Sequence, residues 1–578
     1  MPSTRRKVDE SSPAKTEKRV LRSSKRVKHP TEPSSTSTPI HVLPIPLRRA
    51  IGPLLACPFA GLAVETLMHI FAYLPLLCPP SPLPPAESQR TWLAVTQVCR
   101  HWRRSAFACR ELWAQIPLHS TRWAAFALEQ SRPVPISVRV PEWTPHIRKG
   151  ALAALREMPR MRELMLDVST GGVGREDAGT IQVALGVPAP ELVELAIART
   201  GRETYLASLL SDSGMLKGAT PEKLRRLVVS GVPTRFDSPL LRAPLTHLEL
   251  VGCAFAQNSM TQLLNQLALM PHLETLILSK TLPLTTAVDA GSVTTRVPLL
   301  HLKSLSLQGY IAQIAALMEH VTVPTSAALS WECWYQPRNH SLDEFGALIS
   351  STLKTHFADA HTAGLSFEEF SIKGAEPVDI TVVASQSSGS SSSWGDQPAL
   401  PSEVKIVLFA ASMGETGEAE YAKRFLMEMT RSLPLSRAES LYAQPGIFLD
   451  KQVWRDVYGA PGVFAHVQRV RTGCVAGNGL AHVLYLPHPT PLFPAVHDIQ
   501  IDLKGLYLTD PTIAERFTVF MRVMEQRDVS HTFRLTITEC EVSESTLAMV
   551  RARFGDDAIK WDGRYHGVTP GLPNSCLE

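Results

Sequence analysis

The residues with the most chemical promise lie late in the chain. Thr472-Gly473-Cys474-Val475-Ala476-Gly477-Asn478-Gly479 has the spacing of a glycine-rich loop, in which backbone N–H groups at a helix N-terminus can approach a phosphate. In a dinucleotide-binding domain such a string lies near the domain start. Here only residues 480–578 follow it, with no YxxxK pair among them, and Val467, Val470 and Thr472 before it fit a short strand. A turn after that strand is the expected reading. His482, His488 and His497 stand close together among prolines. A metal site needs converging ligands and partners that orient them, and this spacing offers neither, so no metal or other cofactor is expected. The nine cysteines (57, 78, 99, 109, 253, 333, 474, 540 and 576) form no CxxC pair and are odd in number, which argues against a zinc site or a secreted disulfide framework. GxSxG, HExxH and GxxxxGK[ST] strings do not occur, and the acidic residues are dispersed. No catalytic residue is expected, and the chain reads as a non-enzyme.

What these residues must be positioned by is a chain of 578 residues, 44% hydrophobic and 19% charged, long enough for several domains or one repeat array. Its charge is uneven. Residues 1–30 hold ten Lys/Arg against three acids, which leaves a net of −3 for residues 31–578, the difference between the whole-chain +4 and the tail's +7. The body therefore gives no electrostatic case for nucleic acid. Residues 1–50 are expected to be a disordered basic tail, since their composition cannot bury enough apolar surface to offset chain entropy. The string KTEKRVLRSSKRVK at 15–28 reads either as a nuclear import signal or as a solvated basic run. The N-terminus lacks the apolar core of a signal peptide. The best membrane candidate, Ile51 to Val64, is short and interrupted by Pro53 and Pro58. No membrane association is expected, and the location is read as cytoplasmic, nuclear or both.

Between residues 62 and 75, apolar residues at 63, 67, 70, 71 and 74 make a helical stripe that Pro75 is expected to stop. A Pro/Ser loop over 76–90 follows. Trp92, Val95, Val98, Cys99, Trp102, Ala106 and Phe107 then make a second helical stripe, closed by Leu112-Trp113-Ala114-Gln115-Ile116. Periodicity alone allows a generic three-helix cluster. The order Leu-x-x-Glu-x-Leu-x-x-Ile-Phe-x-x-Leu, then Val-Cys-x-x-Trp-Arg, then Leu-Trp-x-x-Ile resembles an F-box of the fungal type. It departs in two places: Ala63 stands where a proline is usual, and the 76–90 loop is long. The F-box domain is set at 51–118.

From residue 119 to 540 an apolar-x-x-apolar-x-apolar string recurs. It starts at Met161, Leu192, Leu224, Leu245, Leu273 and Leu302, at intervals of 31, 32, 21, 28 and 29 residues. Weaker copies start at Phe367, Val404, Val496 and Thr532. Each copy supplies one short strand that cannot bury its own apolar face, so copies are expected to stack into a parallel sheet. An ordinary α/β domain with short strands is the alternative. The pattern resembles leucine-rich repeats of divergent length, with the usual Asn/Cys after the strand matched only at Cys253 and Cys540. The expected fold class is α/β: an N-terminal helical F-box followed by an irregular leucine-rich-repeat-like solenoid, with a C-terminal segment at 541–578. Residues 385–396, SQSSGSSSSWGD, read as a flexible insertion.

The F-box resemblance implies a role. Such proteins bind a Skp-type adaptor of a cullin ubiquitin ligase and hold a target protein for degradation. Leu62, Leu67, Ile70, Leu74, Val98, Trp102 and Trp113 are the expected F-box core and adaptor-docking set, with core and docking members not separable by sequence. Residues between the apolar strand positions face the open side of a repeat sheet. Glu163, Asp167 and Glu249 are the expected substrate-binding set there, for an unknown protein partner with a basic segment. The competing reading is a leucine-rich-repeat scaffold that binds a partner without ligase function.

Overall fold

The computed structural model describes residues 62–77, 92–168, 173–199, 215–253, 259–283, 296–334, 342–374, 379–386, 401, 403–409, 415–443, 451–458, 463–473, 480, 492–504, 533–538 and 544–561. The basic tail, most of the 76–90 loop and of the Ser-rich insertion, Gly477, Gly479, His482, His488 and Cys540 lie outside them. The fold is mixed α/β: a helical region at the N-terminal side, then a large sheet that is mostly parallel.

The helical region opens with Val64–Leu77. Pro75 does not end this helix, contrary to expectation. It sits in the last turn, where its missing N–H costs only one bond, and the helix runs two residues further. The second stripe is not one helix either. It divides into a 3-10 turn at Trp92–Ala94, a single turn at Val95–Val98 and a helix at Arg100–Ala108. Cys99 makes the break: its backbone is extended (φ −155°, ψ 173°), and its Sγ accepts a hydrogen bond from the Trp102 N–H, capping the third piece. A 3-10 turn at Glu111–Trp113 and a helix at Thr121–Gln130 complete the region.

The strands are β1 (Ile136–Val140), β2 (Met161–Asp167), β3 (Glu194–Ala198), β4 (Arg226–Ser230), β5 (His247–Val251), β6 (Thr275–Ser279), β7 (Val297–Pro298), β8 (Ser304–Tyr310) and β9 (Val321–Thr322). They continue as β10 (Ala328–Trp334), β11 (Glu369–Gly374), β12 (Asp379–Ser385), β13 (Glu403–Phe409), β14 (Ser440–Ala443), β15 (Arg469–Gly473), β16 (Asp498–Lys504), β17 (Phe533–Thr538) and β18 (Ile559–Trp561). Among the described residues, sixteen of them form one sheet in the order β1-β2-β3-β4-β5-β6-β8-β10-β13-β12-β11-β14-β15-β16-β17-β18, while β7 and β9 pair separately. The sheet thus reaches residue 561.

Alternation explains why these short segments become strands. In β3, β4, β5 and β6 the second and fourth residues are buried and their neighbours are not, the period of a sheet with one covered face. Leu195, Leu227, Leu248, Leu276 and Leu305 stack in register, as do Ile197, Val229, Leu250, Leu278 and Leu307. In the strings at Leu192, Leu224, Leu245, Leu273 and Leu302 the first apolar residue is buried just before its strand, and Met161 is buried as the first residue of β2. Helices fill several of the returns; Met260–Ala268 carries a capping box between Ser259 and Gln262.

Beyond the strands, a buried ladder links neighbouring copies. The Cys253 Sγ donates to the Val229 and Val251 carbonyls, and the Thr281 hydroxyl donates to the Leu250 carbonyl and accepts from the Cys253 N–H. Burial pushes the Cys253 thiol up to about 11, so it remains a donor. Gly231 leaves β4 at φ +67°; a Cβ there would lie 1.7 Å from the Arg199 carbonyl oxygen, which excludes any side chain.

One reversal breaks the parallel order. After β10 and the helix Leu342–His356, the chain places β11 three strands away and returns through β12, antiparallel to both its neighbours, to β13. β13 is parallel to β10 and β11 is parallel to β14, so the sense of the sheet is kept on either side. The weak copy at Val404 is out of phase with this. Val404, Ile406 and Leu408 face the core opposite Leu329, Trp331 and Cys333, whereas Val407 faces the other way beside Glu332.

Candidate functional site

The Val64–Leu77 helix has two apolar faces with different fates. Leu67 and Phe71 are buried, and the Phe71 ring packs edge-on against Trp102 at 5.4 Å. Cys109, at the end of the Arg100–Ala108 helix, donates its Sγ hydrogen to the Met68 carbonyl at 3.3 Å; burial raises its thiol, which keeps that proton in place. Trp113 is fully buried, donates Nε1–H to the Ala106 carbonyl at 2.9 Å, and is ringed by Trp92, Phe107, Trp123 and Phe126. These contacts fix one side of the first helix.

Its other side presents a stripe at i, i+3, i+4 and i+7. Ile70 is 45% exposed, Tyr73 56% and Leu77 74%, with Leu74 half-buried among them. Val98, at the helix break, is 57% exposed. Arg100, Arg103, Arg104 and Arg110 are exposed in the same region, and the Arg103 Nε–H spans the break to the Thr96 carbonyl at 2.6 Å.

The seven expected docking residues therefore separate. Leu67 and Trp113 are core; Ile70 and Val98 are surface; Leu62, Leu74 and Trp102 lie between, half-buried. Tyr73 and Leu77 complete the exposed stripe and were not in the expected set. Both fall on the Ile70 side of a 3.6-residue period, which is the signal that would have found them.

The helical region is joined to the sheet by backbone. The Ile116 N–H donates to the Ser137 carbonyl at 3.1 Å, and the Ser137 N–H donates to the Ala114 carbonyl at 2.9 Å, so the Leu-Trp-x-x-Ile string makes an extra rung on β1. Arg160 locks the same junction. Its guanidinium donates to the Leu128 and Val134 carbonyls, the Ser131 hydroxyl and Glu157. Burial alone would raise the Glu157 carboxyl, but hydrogen bonds from Arg160 and Arg132 outweigh it and hold its pKa low.

The expected substrate residues do lie on the uncovered face of the sheet, but they do not converge. Glu163 and Asp167 are four residues apart on β2, and Glu249 is three strands away on β5. Glu163 is paired to Arg139 at 3.4 Å, and His247 Nε2 lies 3.6 Å from Glu249. The neighbouring Glu194 is paired to Arg226 at 3.2 Å. Of the late histidines, His497 is described and exposed. Among the described residues there is no group of three His, Cys, Asp or Glu able to hold a metal, and no helix is long and apolar enough to cross a membrane.

A family model described as F-box-like matches residues 64–119, which is the helical region up to the start of the Thr121–Gln130 helix. No curated protein matches the chain.

Proposed function

We propose that this chain is the substrate-recognition adaptor of a Skp–cullin ubiquitin ligase. The observation that carries the reading is the coincidence of the F-box-like match with an exposed apolar stripe, Ile70, Tyr73, Leu74 and Leu77, on a helix whose opposite face is already packed. An exposed stripe of this kind is stabilised by a partner's apolar groove, with the largest contributions at its centre. The exposed arginines around it favour an acidic rim on that partner. The chain's part in ubiquitin transfer is proximity: a bound target lysine is held near a charged conjugating enzyme, and this chain supplies no nucleophile.

The sheet from β1 onward is the proposed target-binding part. Its in-register leucines, its buried Cys253–Thr281 ladder and its one-sided burial support a divergent leucine-rich-repeat solenoid. Glu163, Asp167 and Glu249 on its open face remain part of that proposal, as does nuclear import by the +7 tail. A scaffold without ligase function is the alternative. Calorimetry of the full chain with purified Skp-type adaptor separates the two. Association that disappears in Ile70→Asp supports the adaptor reading; no heat and no co-elution with the wild-type chain leaves the scaffold.

A further inference from the structure

Charged side chains on the open face of the sheet fall into two populations. Over β1–β5 they satisfy one another, through the Arg139–Glu163, Arg226–Glu194 and His247–Glu249 pairs. Over β11–β16 the same face hollows into a recess of about 490 Å³. There, among the described residues, Lys373, Glu403 and Arg469 make no ion pair, and one carboxylate oxygen of Asp498 is buried without a hydrogen-bond partner.

Register fixes how these groups are laid out. One row across the strands reads Glu403, Ser385, Glu369, Ser440, Arg469, Asp498. The row beside it reads Lys405, Val383, Ser371, Tyr442, Arg471, Gln500. Strands are spaced by about 4.8 Å, so Glu369 and Arg469, with Ser440 between them, stand roughly 10 Å apart at the backbone. Glu369 and Glu403 on one side, with Lys373 and Lys405 on the same strands, and Arg469 and Arg471 on the other, with Asp498 beside them, thus flank a floor of small side chains and one tyrosine. The Arg471 guanidinium lies over the Tyr442 ring at 5.1 Å, which aligns a second cation with Arg469.

We propose that this recess binds an extended protein segment carrying a cationic and a carboxylate side chain two residues apart, the cation meeting Glu369 and Glu403 and the carboxylate meeting Arg469 and Arg471. Residues two apart in an extended chain share a face at about 7 Å, and flexible side chains cover the rest of the span. A purely basic segment would face Arg469 and Arg471, and a dianionic phosphate would face Glu369, Glu403 and Asp498; both are disfavoured by like charge. This site deepens the target-binding reading of the sheet and rests on it.

The test uses the full-length protein and an array of nine-residue Gly/Ser peptides. The central residues carry lysine and glutamate two apart, lysine alone, glutamate alone, or lysine and phosphoserine. Mixed lysine–glutamate peptides are expected to be retained about tenfold more tightly than either single-charge set. Arg469→Glu and Glu369→Lys are each expected to remove that preference, while Glu222→Lys with Glu319→Lys, exposed on the return segments, leaves it unchanged. Equal retention of all sets, tighter retention of the phosphoserine set, or indifference to Arg469→Glu and Glu369→Lys overturns the proposal. Adaptor affinity is measured on the same variants. Adaptor binding without peptide selectivity overturns the recess alone, and selectivity without adaptor binding overturns the ligase reading alone.

Discussion

Ile70 and Leu67 are three residues apart on one helix, and the structure puts them in opposite surroundings. Leu67 is buried against the rest of the helical region, while Ile70 faces outward with Tyr73 and Leu77. Periodicity could place both on an apolar stripe, but not say which edge of the stripe meets the unit's own core. A docking face and a core face are equally apolar, and only the Phe71–Trp102 and Cys109–Met68 contacts decide it. The two classes predict different failures. Ile70→Asp or Leu77→Asp is expected to weaken adaptor binding by at least about 2 kcal/mol, roughly thirtyfold, with an unchanged melting temperature. Trp113→Ala is expected to cost about 3–5 kcal/mol of stability instead, read by denaturant unfolding. A third residue carries a pH signature. His356 is half-buried, but its Nε2 is shut off from solvent with no hydrogen-bond partner among the described residues, and desolvation lowers its pKa to about 4. The unfolded chain takes up that proton near pH 6.5 and the folded chain only near 4. His356 therefore leaves stability intact above about pH 6.5 and lowers it progressively towards pH 4. His356→Phe is expected to flatten that part of the stability–pH curve, measured by urea midpoints at pH 7.5 and 5.

Short elements were legible where large aliphatic residues repeat and obscure where small ones do the same work. In all six strings from Met161 to Leu302 the second and third apolar residues became buried strand positions. The string does not mark β10 or β14, among others. In β10 the string begins at Ser326 before Leu329 and Trp331, and in β14 it is built on Ala438, Leu441 and Ala443. Ala438 and Ala443 carry little periodic signal of their own, and in β10 the first place of the string is taken by an exposed serine. At Val404 the phase differs for another reason: β13 alternates from its first residues, so Ile406 and Leu408 share the face of Leu329 and Trp331, while Val407 is buried on the opposite one. Pro75 and Cys99 show the same limit at helix ends, where the cost of a break depends on which bond is lost. Glycine is the exception, since one at φ +67° against a carbonyl admits no substitute. Gly231→Ala is expected to cost about 3 kcal/mol or more, because the β4 exit must move away from Arg199. Thermal unfolding checks it, with Gly364→Ala as the comparison: that glycine also has positive φ but has open space around its Cβ position, and is expected to cost only about 1 kcal/mol.

At the scale of the molecule, the register of the early strands could be read from repeat spacing, but the reversal could not. Nothing in Phe370, Ile372 or Ile380 says that β11 lies three strands from β10, because apolar alternation is the same for either strand direction. The reversal has a consequence for truncation. β11 and β12 reach β10 only through β13, which comes later in the chain. A chain ending at residue 386 is expected to lose amide protection throughout β11 and β12 while keeping it in β3–β6, whereas a chain ending at 443 keeps both; hydrogen exchange reads the difference. The junction at the opposite end matters for another reason. The Ala114–Ser137 and Ile116–Ser137 bonds and the Arg160 clamp allow no hinge between the helical region and β1. Sixteen strands at about 4.8 Å give the sheet a contour of roughly 70 Å. A stiffly rooted arm of that length magnifies error at its base: a seating tilt of about 5° displaces its tip by about 6 Å, more than a strand spacing. Whatever grips Ile70 and Leu77 therefore aims everything held along the sheet, and a cargo's distance from its anchor decides how finely it is aimed.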